Sequence, residues 1–431
     1  MKHSKGFIQW IGMYFIILGG LWLFLIIAAM IPNQRIQENM KKSAVTIGKA
    51  NAFAYCDGDK MNGIADNYAD SIWVNVAWFM GMGNPIKNSV DTWYYDGENA
   101  GENIGLYKAV TEEITNPNTD YTRYWHGTAG VIRILHLVTD VTGVKNLGFF
   151  IILALAAVIM ILLIRDEKDF LAVAFFLSIC MIKIWNVRLS MEYQPAFILA
   201  FLMCILYLCM ERKGNDKLIF LAIAGGEGIA FFDFLTTETM VILLPLILVI
   251  TVRALDGRIG TWKENFNFVI MQGIVWLVSY GGTIFMKWML ASVMSGENKF
   301  LAALHMAKER VNGKVPVKEG TNSIVQILNA PAANLSVLFG GARRIENFSL
   351  ILGIILLILF FVIFIVGMCN AKKEKKTAIG ILFLLGSVIL LRYMVLRNHS
   401  YLHAFFTYRG LVSMILAMFS IILLNNIKHE K

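Results

Sequence analysis

Apolar residues in this chain arrive in blocks rather than at the intervals that mark a soluble amphipathic helix or strand. The blocks run to roughly 17 to 25 residues, the length a helix needs to cross a hydrocarbon core. Ten spans are predicted, over residues 7–31, 147–164, 170–186, 195–210, 218–235, 239–252, 266–295, 348–369, 377–396 and 405–426, the sixth being short. The pattern is that of an all-α polytopic membrane protein with about ten transmembrane helices. Lys2 and Lys5 precede the first block, as in a signal peptide. That block is too long for a signal-peptide core and no small-residue cleavage site follows it, so it reads as a retained anchor.

The polar residues between the blocks fix an orientation. Lys and Arg gather in MKHSK, RDEKD, ERKGNDK, RALDGRIGTWKEN, AKKEKK and the tail IKHEK, whereas the short connections on the other side carry only Arg188, Arg397 and Arg409. Basic connections stay in the cytoplasm, so both termini are expected there. The chain then divides into a cytoplasmic end with the first span (1–31), a large extracytoplasmic loop (32–146), spans two to seven (147–295), a second outer loop (296–347), and spans eight to ten with the tail (348–431). Connections as long as the two outer loops are usually functional or separately folded. In the first, GTAGVIRILHLVTDVTG places Val131, Ile134, Leu135, Val138 and Val141 on one helical face, with Arg133, His136 and Asp140 opposite, as in a helix lying on the membrane surface. DNYADSIWVNVAWFMGMG is a second helical stretch, carrying Asp66 and Asp70 four apart and so on one face.

Composition changes this picture little. The chain is 57% hydrophobic and 16% charged, and its net charge of +9 follows from the topology rule, so it does not argue for nucleic acid. Of five cysteines only Cys56 falls in an aqueous segment, which leaves no disulfide framework and no metal-type cysteine spacing. No tandem repeat, low-complexity tract or Gly-rich phosphate loop is present, which argues against nucleotide chemistry on the inner side.

The unusual polar residues fall on or near the outer face, and this one-sidedness is the main functional clue. Asp66 and Asp70 are the candidate general base, able to take a proton from an acceptor hydroxyl, or the carboxylates of a divalent cation site for magnesium or manganese. DGDKMNG ahead of them is not a calcium loop, because Tyr68 stands where the closing Glu belongs. Arg123 and His126 sit among the aromatics of YTRYWHG and suit an anionic or hydroxyl-rich ligand. Asp233, in the short connection FFDFLTTETM, is placed to orient an arginine from another span, while Glu227 lies nearer mid-bilayer as a protonated or paired group. Arg188 and Glu192, four apart, make either a mutual ion pair or part of a site. Lys287 and Arg392 either snorkel to headgroups or join a lipid-phosphate pocket, and Arg343 and Arg344 are further candidates for it. RNHSYLHAFFTYRG packs Arg397, Asn398, His399, His403 and Arg409 into the densest polar cluster of any short connection. Ser400 replaces the Glu of a zinc HExxH motif, so a phosphate leaving group or an acidic sugar is the better ligand.

One cytoplasmic N-terminus, one span, a large outer loop with juxtamembrane helices and acidic residues, then many spans with short connections: this arrangement resembles the GT-C superfamily of polyprenyl-phosphate-dependent glycosyltransferases. DNYAD, YTRYWHG, DFLTTET and RNHSYLHAFFTYR resemble pieces of a bacterial envelope branch of similar architecture. The resemblance implies a GT-C-like fold in the bacterial cytoplasmic membrane, a polyprenyl-phosphate sugar as donor, an envelope glycan or lipid-linked acceptor, and a catalytic carboxylate from the first outer loop. On this chain that carboxylate is Asp66 or Asp70. It comes some 35 residues after the first span, later than is usual in the superfamily. The expected reaction is inverting transfer at the outer surface. The competing classes are a transporter or flippase of lipid-linked saccharide, a polysaccharide polymerase or ligase, and a structural assembly subunit. One-sided polarity favours an enzyme over a transporter, which needs a polar path to the inner face.

Overall fold

The computed structural model describes residues 2–98, 100–312 and 323–426, so the tail IKHEK and Met1 of MKHSK lie outside the described residues. Apart from two small ribbons the fold is all-α. Among the described residues seven helices are long and apolar enough to cross a membrane: Gly6–Ala29, Val141–Arg165, Met191–Lys213, Trp262–Ser295, Asn347–Asn370, Lys373–Val395 and Ala404–Asn426. They make the chain a multi-pass membrane protein. The other three expected spans are helices too, but two are shorter and the third carries Asp216, Lys217 and Glu227.

Helix α1 (Lys2–Ala29) leads into the first long loop, which folds as α2 (Asn33–Gly48), a ribbon of β1 (Phe53–Tyr55) and β2 (Ile64–Asp66), α3 (Asn67–Met80), α4 (Pro85–Asn88), β3 (Trp93–Tyr94), α5 (Glu102–Thr111), β4 (Thr119–Asp120) and α6 (Gly127–Leu135). These helices share an apolar core with α1 around Trp73, Trp78, Leu106, Trp125 and Ile132. The expected surface helix stops at Leu135, and its polar face turns into the protein rather than into water. Arg133 and His136 are fully buried, whereas Val138 is 79% exposed. Arg133 explains the inversion. Its Nε donates to the Ala28 carbonyl at 3.0 Å, one Nη donates to Asn33 Oδ1 at 2.9 Å and to the Ala77 carbonyl, and the other donates to the Ile31 carbonyl. A guanidinium thereby satisfies the orphan carbonyls at the C-terminal ends of α1 and α3, where the helix dipoles favour a cation. Gly81 has no Cβ at the point where one would collide with Arg133. Asp140 ends the turn that follows by capping the next helix through Thr142 N and Gly143 N.

That helix, α7 (Val141–Arg165), is followed by α8 (Asp169–Met181), α9 (Gln194–Met210), α10 (Asn215–Phe232), α11 (Met240–Leu255) and α12 (Trp262–Ser295). Helix α11 is buried on every side from Met240 to Ala254, as an apolar helix without a polar stripe must be when protein rather than lipid surrounds it. A 3-10 connection between α8 and α9 holds Arg188 and Glu192.

The remaining helices are α13 (Lys299–Asn312), α14 (Ser323–Leu338), α15 (Asn347–Asn370), α16 (Lys373–Val395), α17 (Arg397–Leu402), α18 (Ala404–Thr407) and α19 (Val412–Asn426). The long segment expected as a second outer loop is not simply a loop. Ala330, Ala333, Asn334 and Val337 of α14 are buried in the bundle core, and Gly353 of α15 lets Leu335 approach to where a Cβ would be only 2.6 Å away. Small residues at such a crossing let two backbones come close.

Candidate functional site

Five separate stretches of chain meet at one end of the bundle around a cavity of about 350 Å³. Asp66 enters from the end of β2, where it is the N-cap of α3 and accepts from Ala69 N at 2.9 Å. Glu192 enters from the 3-10 turn ahead of α9, held in place as its backbone N–H donates to Ser190 Oγ at 3.2 Å. Arg123 comes from the 121–124 loop, Phe234 from the α10–α11 connection, and His399, His403 and Phe406 from α17 and α18. Tyr68 and Ile72 of α3 and Phe53 of β1 complete the wall.

The electrostatics of this cavity are unusual. The Asp66 and Glu192 side chains are hydrogen-bonded to each other, which two carboxyl groups accomplish only by sharing a proton. Burial, opposed by the hydrogen bonds from Ala69 and Glu192, pushes the Asp66 carboxyl up to about 6. Facing the pair, the Arg123 guanidinium lies over the ring of Tyr121 at 4.1 Å and near that of Tyr124 at 5.4 Å. Tyr124 packs on Phe234 with centroids 4.9 Å apart, Phe53 stacks on Tyr68 at 5.8 Å, and the His399 and His403 rings lie 4.7 Å apart. A cavity lined by aromatic rings, a carboxyl pair, a guanidinium and two imidazoles can hold a sugar ring and offers both a proton acceptor and groups that suit an anion.

The expected residues sort into those that reach this cavity and those that do not. Asp66, Arg123, Glu192, His399 and His403 line it. Asp70 does not, because the first turn of α3 points it inward. It is fully buried, accepts from Ser190 Oγ and Met191 N at 2.8 Å each, and pairs with Lys145 at 2.6 Å. The two aspartates therefore form no common cradle for a divalent cation. Among the described residues no group of three or more His, Cys, Asp or Glu side chains converges as metal ligands would. The expected Arg188–Glu192 ion pair is not formed, since Arg188 is exposed and Glu192 buried. Asp233 does not orient an arginine. It closes its own turn onto Thr236, and Glu238 takes Arg392 instead, at 2.9 Å. Nor do Arg392 and Lys287 snorkel, for both are buried, Lys287 completely and 5.6 Å from the Trp125 ring.

His126 supports the site from behind. It adopts a left-handed backbone (φ 60°), its Nε2 lies 2.7 Å from the Tyr121 carbonyl, and burial holds its imidazole well below the ordinary range, hence neutral. Arg409 is likewise buried, 5.0 Å from the ring of Tyr408 and 4.3 Å from that of Tyr193, the residue after Glu192, but it does not line the cavity. Arg397 and Asn398 are half-buried at the start of α17 and do not line the cavity. Arg344 donates to the Leu402 carbonyl at 3.0 Å, tying the α14–α15 connection to the end of α17. Tyr68, Phe234 and Phe406 fall within the stretches DNYAD, DFLTTET and RNHSYLHAFFTYR, but the sequence does not single them out as lining residues, and Phe53 carries no sequence mark that distinguishes it from other aromatics of the chain.

Two further hollows frame the site. An apolar groove of about 280 Å³ runs between α6, α7 and α9, walled by Val131, Leu135, Leu147, Ile151 and Ile198. Met191 and Phe232 line the groove while Glu192 and Phe234 line the cavity, so the two hollows share a partition one or two residues thick. At the other end of α9, about 25 Å away at 1.5 Å per residue, an open polar hollow of about 850 Å³ is bordered by Glu211, Arg253, Asp256 and Arg258.

Compared with protein-family models, curated proteins and solved structures, the chain matches none.

Proposed function

We propose that the protein is a membrane glycosyltransferase, inverting, that moves a sugar from a polyprenyl-phosphate donor to an envelope glycan or lipid-linked acceptor at the outer face of the bacterial cytoplasmic membrane. The observation that carries this reading is the cavity itself. Asp66, Glu192, Arg123 and the two histidines, drawn from distant parts of the chain, converge there beside an apolar groove of a kind an isoprenoid tail would fill.

In the proposed reaction the acceptor hydroxyl oxygen attacks the anomeric carbon as the bond from that carbon to the donor phosphate oxygen breaks. Asp66, as carboxylate, accepts the hydroxyl proton, while Glu192 keeps the proton it shares and fixes the Asp66 oxygens by hydrogen bonding. The phosphate leaves with its electron pair and departs as polyprenyl phosphate. Arg123, His399 and His403 counter that charge in a partly dry site, where such contacts are worth more than in water. The face-on rings of Tyr124, Phe234 and Tyr68 suit the apolar faces of sugars.

Purified protein in lipid nanodiscs, given labelled polyprenyl-phosphate sugars and a glycan acceptor, tests the proposal. Transfer by the wild type and its loss in Asp66→Asn support it. Undiminished transfer in Asp66→Asn overturns the base assignment, and no transfer from any donor returns the field to the runner-up, a transporter of lipid-linked saccharide. The buried polar residues Gln272, Ser279, Thr283 and Lys287 along one face of α12 are the feature that favours that second class.

A further inference from the structure

The cavity is small for a glycan acceptor. At about 350 Å³ it lies near the lower end of ligand sites, roughly 300 to 1,000 Å³, so it has room for the reacting groups and not for an extended chain of sugars. Whatever follows the reacting unit must leave through the mouth. Of the described residues that line the cavity, only Phe53 and Tyr68 are exposed, at 46% and 36%, which places the mouth between β1 and the start of α3. The two rings stack there with their planes 22° apart.

Strand β1 carries the same surface away from the mouth. Alternate residues of a strand project to one face about 6.6 Å apart, so Phe53 and Tyr55 share a face, and both are exposed while Ala54 between them is half-buried. Pairing sets Phe53 across from Asp66 and Tyr55 across from Ile64, so Phe53 stands beside the proposed base and Tyr55 one step beyond it. That step is comparable to the length of one pyranose unit. The ribbon is fixed in advance of any ligand. Met61 N donates to the Gly341 carbonyl at 3.1 Å and Asn62 Nδ2 to the Val337 carbonyl at 2.9 Å, tying its turn to the end of α14, while Tyr68 N donates to the Ala52 carbonyl at 3.1 Å at its open end. The Tyr55 hydroxyl is held 3.7 Å from Met61 Sδ. Rings positioned in this way lose little freedom when something binds to them. Their surroundings favour a sugar over a hydrocarbon. Asn51, Asp59 and Lys60 flank the rings and are exposed. Charged groups are costly in hydrocarbon, whereas they offer hydrogen bonds to sugar hydroxyls, and the rings offer flat apolar faces to the C–H side of a pyranose. That side is broadest where the ring substituents are equatorial.

We propose that Phe53 and Tyr55 form an extended acceptor subsite, on which the second and third units of a chain of equatorially substituted pyranoses lie while the terminal unit presents its hydroxyl inside the cavity. The inference rests on the glycosyl-transfer reading for the identity of the occupant. It adds that the acceptor is an oligosaccharide or longer, not a single sugar.

Affinity measurement and saturation-transfer NMR on the full-length protein in nanodiscs, with cello- and chito-oligosaccharides of one to six units as probes, test it without any donor. Affinity is expected to climb about three- to tenfold with each of the second and third units and to level off beyond them, with saturation reaching the second and third rings. Tyr55→Ala should abolish the gain from the third unit, and Tyr55→Phe, which keeps the ring, should preserve it. The length dependence and the saturation map are read on the wild type, so a misfolded variant does not spoil the test. No binding of any probe, affinity independent of length, or a gain that survives Tyr55→Ala overturns the proposal. So does a fluorotyrosine signal at position 55 that is broadened by spin-labelled lipid and not by a soluble spin label, which assigns the rings to the bilayer. Length-dependent binding that is lost in Tyr55→Ala, in a protein that transfers sugar from no donor, supports the subsite and counts against glycosyl transfer alone. Transfer abolished by Asp66→Asn, with no dependence of binding on length, overturns the subsite and spares the transfer.

Discussion

The two ends of α9 use charge in opposite ways. Beyond its C-terminal end, Glu211 accepts from Arg258 at 2.6 and 3.0 Å and from Arg253 at 3.4 Å, while Asp256 takes Arg258 at 2.8 Å and Lys168 at 2.7 Å. Glu211 and Asp256 thus each have cations, and the cluster ties the end of α9 to the end of α11 and to the turn ahead of α8. At the N-terminal end, Asp66 and Glu192 face each other across a hydrogen bond, and Arg123 is given to tyrosine faces rather than to a carboxylate. Two buried carboxyls that must share a proton, with a guanidinium withheld from them, lower stability relative to the paired arrangement. The contrast separates a clasp that serves the fold from an end whose charges remain available to a bound molecule.

The sharpest way to break the comparison is at Asp66. Asp66→Asn is expected to cut transfer by about 10²-fold or more, with little change in the thermal unfolding midpoint of the nanodisc-embedded protein. Next is Asp70→Asn, which should do the reverse: Asp70 is fully buried although its partner Lys145 is only partly so, and breaking the pair should cost about 2 to 3 kcal/mol of stability, visible as a lowered midpoint, while transfer per folded molecule persists. The pH profile sharpens the comparison further. A base must be ionised to accept a proton, so transfer should rise as pH climbs through about 6 and level off above it. Glu192→Ala removes the hydrogen bond that favours the Asp66 carboxylate and should move that rising limb to higher pH, whereas Glu192→Gln, which keeps a donor, should leave it nearly in place. The smallest effect is expected at the opposite end. Arg258→Ala, at a partly exposed and solvent-screened pair, should cost about 1 kcal/mol or less and leave transfer unchanged. A large activity loss there would erase the distinction between the two ends.

Much of the architecture was legible because bilayer crossing demands long apolar blocks, and every predicted span is helical. The helix carrying Asp66 and Asp70, and the convergence of Asp66, Arg123, Glu192, His399 and His403, followed from gathering polar residues on one side. What escaped the sequence depends on neighbours. Periodicity separated the faces of the 127–143 stretch correctly, yet it carried no sign that Arg133 and His136 would meet helix ends and a buried Ser43 hydroxyl, 2.9 Å from the His136 ring, rather than water. Asp66 and Asp70 look alike four residues apart, but one is a cap looking outward and the other a first-turn residue facing Lys145. Apolar helix α14 was hidden because its length falls short of a crossing and its burial comes from α15 and α17.

Arg133 gives the molecule a mechanical property as well as a bond. Helix α1 offers 24 residues to the bilayer, and a mismatch between that length and the local hydrocarbon thickness is relieved by tilting. The far end of this lever is pinned to the end of α3, whose opposite end begins at Asp66. Thin and thick membranes would therefore pull on the carboxyl differently, making lipid chain length a physical input to the cavity.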